Sequence, residues 1–176
     1  VLPISHYIQD YYDQKEIKTF VVPIMADTQE YDNAHYDHAE LIKIVYPANG
    51  MVKDNLNDML EALCQLPEKN RKILEFHITG VKKETICESI LERVQASLKG
   101  RFIIHEWLDY DELINLYKNT DFLLLARKTC QMTLANFPSK VPEVMTYGVI
   151  PIVSSVGDYA KYYLTNDVDS IVFDGC

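Results

Sequence analysis

From residue 41 onward, short apolar runs alternate with segments whose apolar residues recur at helical spacing. The runs are Leu41–Tyr46, Leu74–Thr79, Phe102–Ile104, Phe122–Ala126, Pro151–Val153 and Ser170–Phe173. The helical segments are Leu56–Leu63, Ile86–Leu98, Leu113–Tyr117, Val141–Met145 and Tyr159–Leu164. Parallel strands need long crossovers, and helices cover both faces of the sheet that they form. The alternation therefore predicts an α/β fold with a doubly wound parallel sheet.

The amino-terminal part lacks this alternation. Ile4–Ile17 has the spacing of an amphipathic helix, and Phe20–Ile24 is predicted to be a short extended run in which Pro23, which cannot donate to a ladder, marks an edge or an exit. Residues 27–40 are polar and aperiodic, as in an exposed crossover. His35 and His38 lie there beside acidic residues, but without a cysteine partner they are interpreted as solvated side chains, and no metal site is predicted.

Composition excludes several function classes. The 176 residues are 48% hydrophobic, which suits one packed domain, and a net charge of −9 argues against a nucleic-acid surface. Four cysteines without a C-x-x-C pair indicate neither a zinc site nor a disulfide framework and favour a cytoplasmic location. No apolar run approaches the ~20 residues of a membrane helix. Since the chain opens on Val1 and stops just after a predicted strand, it is expected to be a piece of a longer protein.

Cations follow the predicted strands at three places. Lys53 stands before a helix in a loop that also offers Gly50 for close backbone approach, Arg127 follows the fourth strand, and Lys140 begins the next helix. In doubly wound sheets, ligands bind beyond the carboxyl ends of the strands, so the three cations are predicted to converge on a diphosphate. The alternative for Lys53 is a solvated lysine, and for Arg127 and Lys128 it is ordinary surface charge.

The stretch Asn136–Gly157 carries the most specific local signals. Ser139 is expected to cap a helix that Gly148 ends, with a buried strand after it. Glu143, in the first turn, suits a ribose cis-diol, although a helix dipole also favours a surface glutamate there. Trp107 either covers a nucleobase or packs, and two strand-end histidines, His77 and His105, are core-edge residues or pocket walls.

These segments resemble a known family. FPSKVPEVMTYGVIPIVSSVGD, residues 137–158, resembles the donor-site motif P-[ST]-K-x-x-E-x-x-x-x-G-x-P-[IV] of the retaining, group 1 glycosyltransferases with the two-domain GT-B fold. YPANGMVKDNLNDMLEAL, residues 46–63, is similar to the first loop and helix of the same half, and residues 104–127 are similar to the strand-helix-strand before the motif. FVVPIMAD, residues 20–27, resembles the interdomain crossover.

The resemblance implies the Rossmann-like, C-terminal half of a GT-B fold. Residues 1–30 would be a remnant of the acceptor domain and crossover, and residues 31–176 a nucleotide-sugar donor-binding domain truncated at its carboxyl-terminal end. The full protein would transfer a sugar from a nucleotide diphosphate donor to a glycan, lipid-linked or small-molecule acceptor held by a missing N-terminal domain. It would need no metal and no further cofactor. Polysaccharide biosynthesis and peripheral membrane association are compatible with it, and the fragment alone is expected to be inactive.

The resemblance also assigns roles to single residues. The catalytic set is Lys53, Arg127 and Glu143; the donor-binding set is Gly50, Trp107, Leu108, Ser139, Lys140, Glu143 and Gly157. One departure is Ala135, which stands where the family has the first acid of an E-x7-E pair, with Asn136 beside it as a partial substitute. A different loop residue, a changed donor sugar or reduced activity would each account for it. The alternatives are therefore a non-catalytic nucleotide-binding module and a sugar-nucleotide epimerase of the same architecture.

Overall fold

The predicted alternation forms one parallel sheet. The computed structural model describes residues 1–27, 40–47 and 52–174. Its strands are β1 (Ile42–Pro47), β2 (Leu74–Thr79), β3 (Phe102–His105), β4 (Phe122–Leu125), β5 (Ile150–Ser154) and β6 (Ile171–Phe173). They lie in the order β3-β2-β1-β4-β5-β6, and every pairing is parallel. The predicted fold class is confirmed.

Helices connect the strands on both faces of the sheet. They are α1 (His6–Asp13), α2 (Leu56–Gln65), α3 (Glu68–Arg71), α4 (Glu88–Leu98), α5 (Tyr110–Lys118), α6 (Gln131–Ala135) and α7 (Lys140–Met145). Short 3-10 turns span Val52–Asp54 and Lys83–Thr85, and Tyr159–Tyr163 forms a π-helical turn. None of the helices in the described ranges has the length and hydrophobicity needed to span a bilayer. The three cysteines within the described ranges, Cys64, Cys87 and Cys130, are free thiols.

The sheet separates two hydrophobic clusters. One lies between the sheet and the pair α2 and α4, with Phe76, Leu60 and Val94 almost fully buried. The other joins the opposite face to α5, α7 and the π-helical turn, through Tyr117, Val144 and Tyr159. Burial on both faces explains why the strands are continuous apolar runs rather than alternating ones.

The strand order reverses beside β1. This strand pairs with β2 on one side and β4 on the other, while its crossover α2 and the later helices α5 and α7 pack on opposite faces. The loops that leave β1 and β4 therefore diverge and open a crevice at their carboxyl ends, the usual ligand position in such sheets.

The amino-terminal helix docks beside this crevice. Ser5 is fully buried, and its Oγ donates to the Ala135 carbonyl at 2.9 Å. The His6 amide and Nδ1 both contact Asp158 Oδ2, at 2.6 and 2.7 Å. Through these bonds, α1 is fastened to the end of α6 and to the turn after β5.

The amino-terminal segments differ in part from the sequence prediction. No strand is assigned to Phe20–Ile24, but the segment runs beside residues 1–3: the Phe20 amide donates to the Val1 carbonyl at 3.3 Å and the Val22 amide to the Pro3 carbonyl at 2.9 Å. α1 is also shorter than the predicted Ile4–Ile17, and Glu16 beyond it has a left-handed φ of 57°. The crossover predicted for residues 27–40, with His35 and His38, lies almost entirely outside the described residues.

Candidate functional site

A cavity of about 420 Å³ opens at the crevice where the strand order reverses. Pro47, Thr79 and Leu125 form its floor at the carboxyl ends of β1, β2 and β4. The wall comes from the 3-10 turn before α2, from the loop after β3, from the segment 136–140 and from Ile24 of the amino-terminal crossover. Residues far apart in sequence are thus brought together where a doubly wound sheet binds its ligands.

The cavity brings together the three predicted cations. Lys53, Arg127 and Lys140 all line it, and Asp54 is the lining carboxylate among the described residues. Three cations and one carboxylate give the charged lining a formal net charge of 3 − 1 = +2, in a chain whose overall charge is −9. The cavity is therefore a local positive region suited to an anion.

Arg127 is a buried residue of the cavity wall. Its side chain is 7% exposed, its Nη1 donates to Asn136 Oδ1 at 2.9 Å, and its Nε lies 3.7 Å from Asp54 Oδ1. The Asp54 side chain is only 5% exposed. The backbone amide of Arg127 donates to Ser154 Oγ at 2.9 Å, which fixes the end of β4 against β5. The alternative that Arg127 is an ordinary surface charge is wrong.

Lys128, the next residue, shows the contrast. Its ammonium pairs with Asp58 at 3.1 Å, and the two side chains are 47% and 66% exposed. It does not line the cavity within the described part of the chain. The surface interpretation is right for Lys128, because successive residues after a strand point in different directions.

Ser139 lines the cavity but does not cap α7. It occupies the position before the helix, yet its side chain makes no capping hydrogen bond. A capping residue usually has extended dihedrals that carry its oxygen over the free amides, whereas Ser139 is helical, with φ −58° and ψ −28°. The capping prediction was therefore wrong, although Gly148, with φ 79°, does follow the end of the helix.

Trp107 projects from the loop after β3. It lines the cavity and is 85% exposed, so the interpretation that it packs into the core is wrong. Leu108 is half-buried and is not among the cavity-lining residues described. The loop is short, because Asp109 already caps α5: its carboxylate accepts from the Glu112 amide at 2.9 Å, and Glu112 accepts from the Asp109 amide at 3.0 Å.

The remaining predicted residues lie beyond the described lining. Glu143 is half-buried in α7, and this burial raises the pKa of its carboxyl while nearby Lys140 opposes the shift. Gly157 follows β5 with φ 81°, and a Cβ there would lie 3.1 Å from the Thr133 carbonyl. The left-handed φ and the close packing against α6 together explain why this position is a glycine. Gly50 lies outside the described residues.

Comparison with known proteins now identifies the family. Residues 28–175 match the family described as glycosyl transferases group 1. The chain belongs to this family. Comparison with curated protein sequences gave no significant match.

Solved glycosyltransferase structures share the fold. The apo form of the lipopolysaccharide outer core galactosyltransferase WaaB superposes with a TM-score of 0.73 at 16% identity, over 98% of this chain and 48% of its own. WaaG, a glycosyltransferase involved in lipopolysaccharide biosynthesis, gives 0.72 at 13% identity with the same coverage. TarM gives 0.67 at 9% identity, over 98% of this chain and 32% of its own. The chain spans about half the length of the first two proteins.

At Ala135 this chain departs from the group 1 glycosyltransferase motif. The structure shows which contacts Ala135 and its neighbour Asn136 make. Ala135 ends α6, and its carbonyl accepts from Ser5. Asn136 lines the cavity and accepts from Arg127, so its amide oxygen now faces the cation. Asp54 is a site residue that no motif marks, because its only local signal is a carboxylate directly after Lys53.

Proposed function

We propose that this chain is the donor-binding half of a retaining glycosyltransferase that uses a nucleotide diphosphate sugar. The observation that carries the proposal is the convergence of Lys53, Arg127 and Lys140 on the cavity at the crevice where the strand order reverses. A diphosphate presents several acceptor oxygens and negative charge, and cations from separate loops can contact it from different sides. Membership of the group 1 family supports sugar transfer as the reaction class.

Arg127 and Lys53 are proposed to stabilise the leaving diphosphate. Negative charge grows on that group as the bond to the sugar breaks, and positive groups already in place lower the barrier. Arg127 is suited to this role because Asn136 and Asp54 hold its guanidinium before any ligand arrives. Lys140 and Ser139 add a cation and a hydroxyl on the other side of the cavity.

The nucleoside is proposed to lie toward Trp107. An exposed indole at a cavity wall offers an apolar face to a base, with Leu108 next to it in the same loop. Glu143 is proposed to accept the ribose hydroxyls, and Gly157 to let the chain turn close to the donor. Gly50 is proposed to approach the diphosphate through its backbone. These roles follow from the family motif, and the described cavity reaches only as far as Lys140 in α7.

The acceptor is proposed to bind to a part of the protein outside this chain. Residues 1–30 would then belong to the acceptor domain and crossover, and residues 31–176 to the donor domain. WaaB and WaaG concern lipopolysaccharide, which favours a glycan or lipid-linked acceptor in polysaccharide biosynthesis. A cytoplasmic position, with peripheral membrane association left open, and independence from metal ions and nucleic acids remain predictions.

A non-catalytic nucleotide-binding module is the second candidate. The observation that favours it is the missing carboxylate at Ala135, since Asp54, the acid in the described lining, is committed to Arg127. The two candidates share nucleotide binding and differ in transfer. Product analysis with the full-length protein separates them: a retained anomeric configuration in the product supports the first, and binding without turnover supports the second.

Isothermal titration calorimetry of this chain with UDP, GDP and their sugars tests the binding step. Lys53→Ala should weaken diphosphate binding roughly 10- to 150-fold, because a hydrogen bond to a charged group contributes about 1.5–3 kcal/mol. Lys128→Ala is the matched control, since Lys128 pairs with Asp58 away from the cavity. Equal losses in both variants, or no binding by the parent chain, would overturn the proposed site.

A further inference from the structure

A hydrogen-bonded chain of ionisable side chains crosses β2 and β3 on the face covered by α5. Glu75 Oε1 lies 3.0 Å from His77 Nε2, and His77 Nδ1 lies 3.0 Å from His105 Nε2. The two imidazoles are stacked, with centroids 5.3 Å apart and planes 7° from parallel. His77 is buried at 8% exposure. Nothing in the proposed sugar transfer uses these residues.

Counting protons shows what the chain can hold. Glu75 accepts from His77 Nε2, so a neutral His77 must accept at Nδ1 from His105. One added proton is tolerated, because a cationic His77 donates in both directions and His105 then accepts. A second added proton places N–H groups on both facing nitrogens, 3.0 Å apart on two like-charged rings. The hydrogen bond cannot survive in that state.

The groups around the histidine pair also disfavour a second added proton. Burial first, and then the charge of His77, lower the pKa of His105 below its ordinary value, while Glu112 of α5 opposes the shift. From β1, the ammonium of Lys43 lies 4.0 Å from Glu75 and competes for the same carboxylate. The pKa of His105 therefore lies below its ordinary value, and its protonation is expected only in acid.

The chain meets the cavity at its wall. His105 ends β3, and its carbonyl accepts from the Gly80 amide at 3.0 Å; Thr79, Gly80 and Trp107 line the cavity. The loop 106–108 separates His105 from the capping box that begins at Asp109. Since Trp107 is 85% exposed, its own packing does not hold it. The loop is held at its two ends: at His105 by the backbone pairing of β3 with β2 together with the His77–His105 side-chain bond, and at Asp109 by the capping box.

We propose that Glu75, His77 and His105 position the Trp107 loop against the cavity, and that a second proton on the histidine pair releases it. At neutral pH the pair adds a side-chain hydrogen bond to the backbone ladder that joins the ends of β2 and β3, directly before the loop. In acid the imidazoles repel, the side-chain bond at the His105 end of the loop is lost, the backbone pairing alone no longer fixes that end, and Trp107 leaves the wall. The inference concerns the chain itself and holds whether or not a nucleotide is the ligand.

The sequence supplies a direct reporter, because Trp107 is its single tryptophan. Fluorescence anisotropy decay of the unmodified chain, between pH 8 and 5, follows the loop; intensity alone would also respond to a nearby charge. The slow anisotropy component of Trp107 should be lost on acidification, with a midpoint below about 6.5. No change in the decay across this range would overturn the proposal.

Variants assign the transition to the pair. His105→Gln keeps a donor and an acceptor without titrating, so the transition should disappear while the far-ultraviolet circular dichroism stays unchanged. His6→Gln is the control, since His6 pairs with Asp158 on α1 and should leave the transition intact. If His105→Gln does not fold, His77→Gln is expected to abolish the same transition. An unchanged transition in the folded variants would refute the role of the pair.

Discussion

Asp54→Asn removes the buried carboxylate beside Arg127 and leaves the guanidinium with a neutral partner. At the observed 3.7 Å, two unit charges attract with about 4.5 kcal/mol for an effective dielectric constant near 20. Breaking a buried pair by removing one partner costs about 3–5 kcal/mol. Both figures place the loss near 4 kcal/mol, which is a large part of the roughly 5–15 kcal/mol of a whole domain.

Urea unfolding followed by far-ultraviolet circular dichroism measures this loss. With a slope of about 2 kcal/mol per molar, the midpoint should fall by roughly 2 M in the variant. Inorganic pyrophosphate should raise the midpoint of the variant more than that of the parent chain. The reason is that a bound anion replaces the missing negative charge, and the cavity no longer carries a carboxylate that repels it.

Asp58→Asn is the matched control. It breaks a shorter ion pair, 3.1 Å to Lys128, with both side chains largely exposed, and such pairs contribute about 0–1 kcal/mol. Equal midpoint shifts in Asp54→Asn and Asp58→Asn would refute the reasoning, because burial rather than distance is held to decide the energy. The double variant Asp54→Asn/Arg127→Gln should recover part of the loss, since no buried charge then remains unpaired.

Four further substitutions have expected outcomes. Gly100→Ala should cost about 1–2 kcal/mol through its left-handed φ of 85° alone. Gly157→Ala should cost roughly 2–4 kcal/mol, because overpacking is added to the strain; equal urea midpoints for the two would contradict this. Since burial raises the pKa of Glu143, its carboxyl stabilises the fold in acid and loses that contribution as the pH rises. Glu143→Gln should therefore exceed the parent in stability at pH 7, and the gain should shrink at pH 4. The lowered pKa of His105 has the opposite sign: stability present above about 6.5 is lost as the pH falls, and His105→Gln should flatten that loss in urea titrations at pH 7.5 and 5.5.

The sheet was predictable because its signal is local. Each strand is a continuous apolar run, and each of the longer crossovers repeats its apolar residues over two or more turns, so the fold class needs no long-range knowledge. The strand order, by contrast, comes from the structure. α6 was missed because Gln131–Ala135 is too short to show a period. Its start is fixed by Cys130, whose amide donates to Thr133 Oγ1 at 2.9 Å, and cysteine is not a usual capping signal.

The site was predictable only where strand ends fix the position. Lys53 and Arg127 converge because their strands are neighbours, which the fold class already implies. The pairing of Arg127 with Asp54 depends instead on the burial of two side chains that three crossovers separate in sequence, and no local pattern reports that. His77 and His105 are an intermediate case. Their positions near the ends of neighbouring strands could be predicted from the sequence, but the hydrogen bond between them also requires that both side chains point to the face under α5.

The join between α6 and the cavity limits how the chain can be re-engineered. Ala135 holds Ser5 through its carbonyl, and the very next residue, Asn136, holds Arg127. Each helical residue turns the chain by about 100°, so one deletion within α6 would swing both partners away from their bonds at once. The side chains of Gln131 and Met132, by contrast, are exposed and hold neither of these partners. Variation in this segment should therefore be sought in residue type at a fixed length.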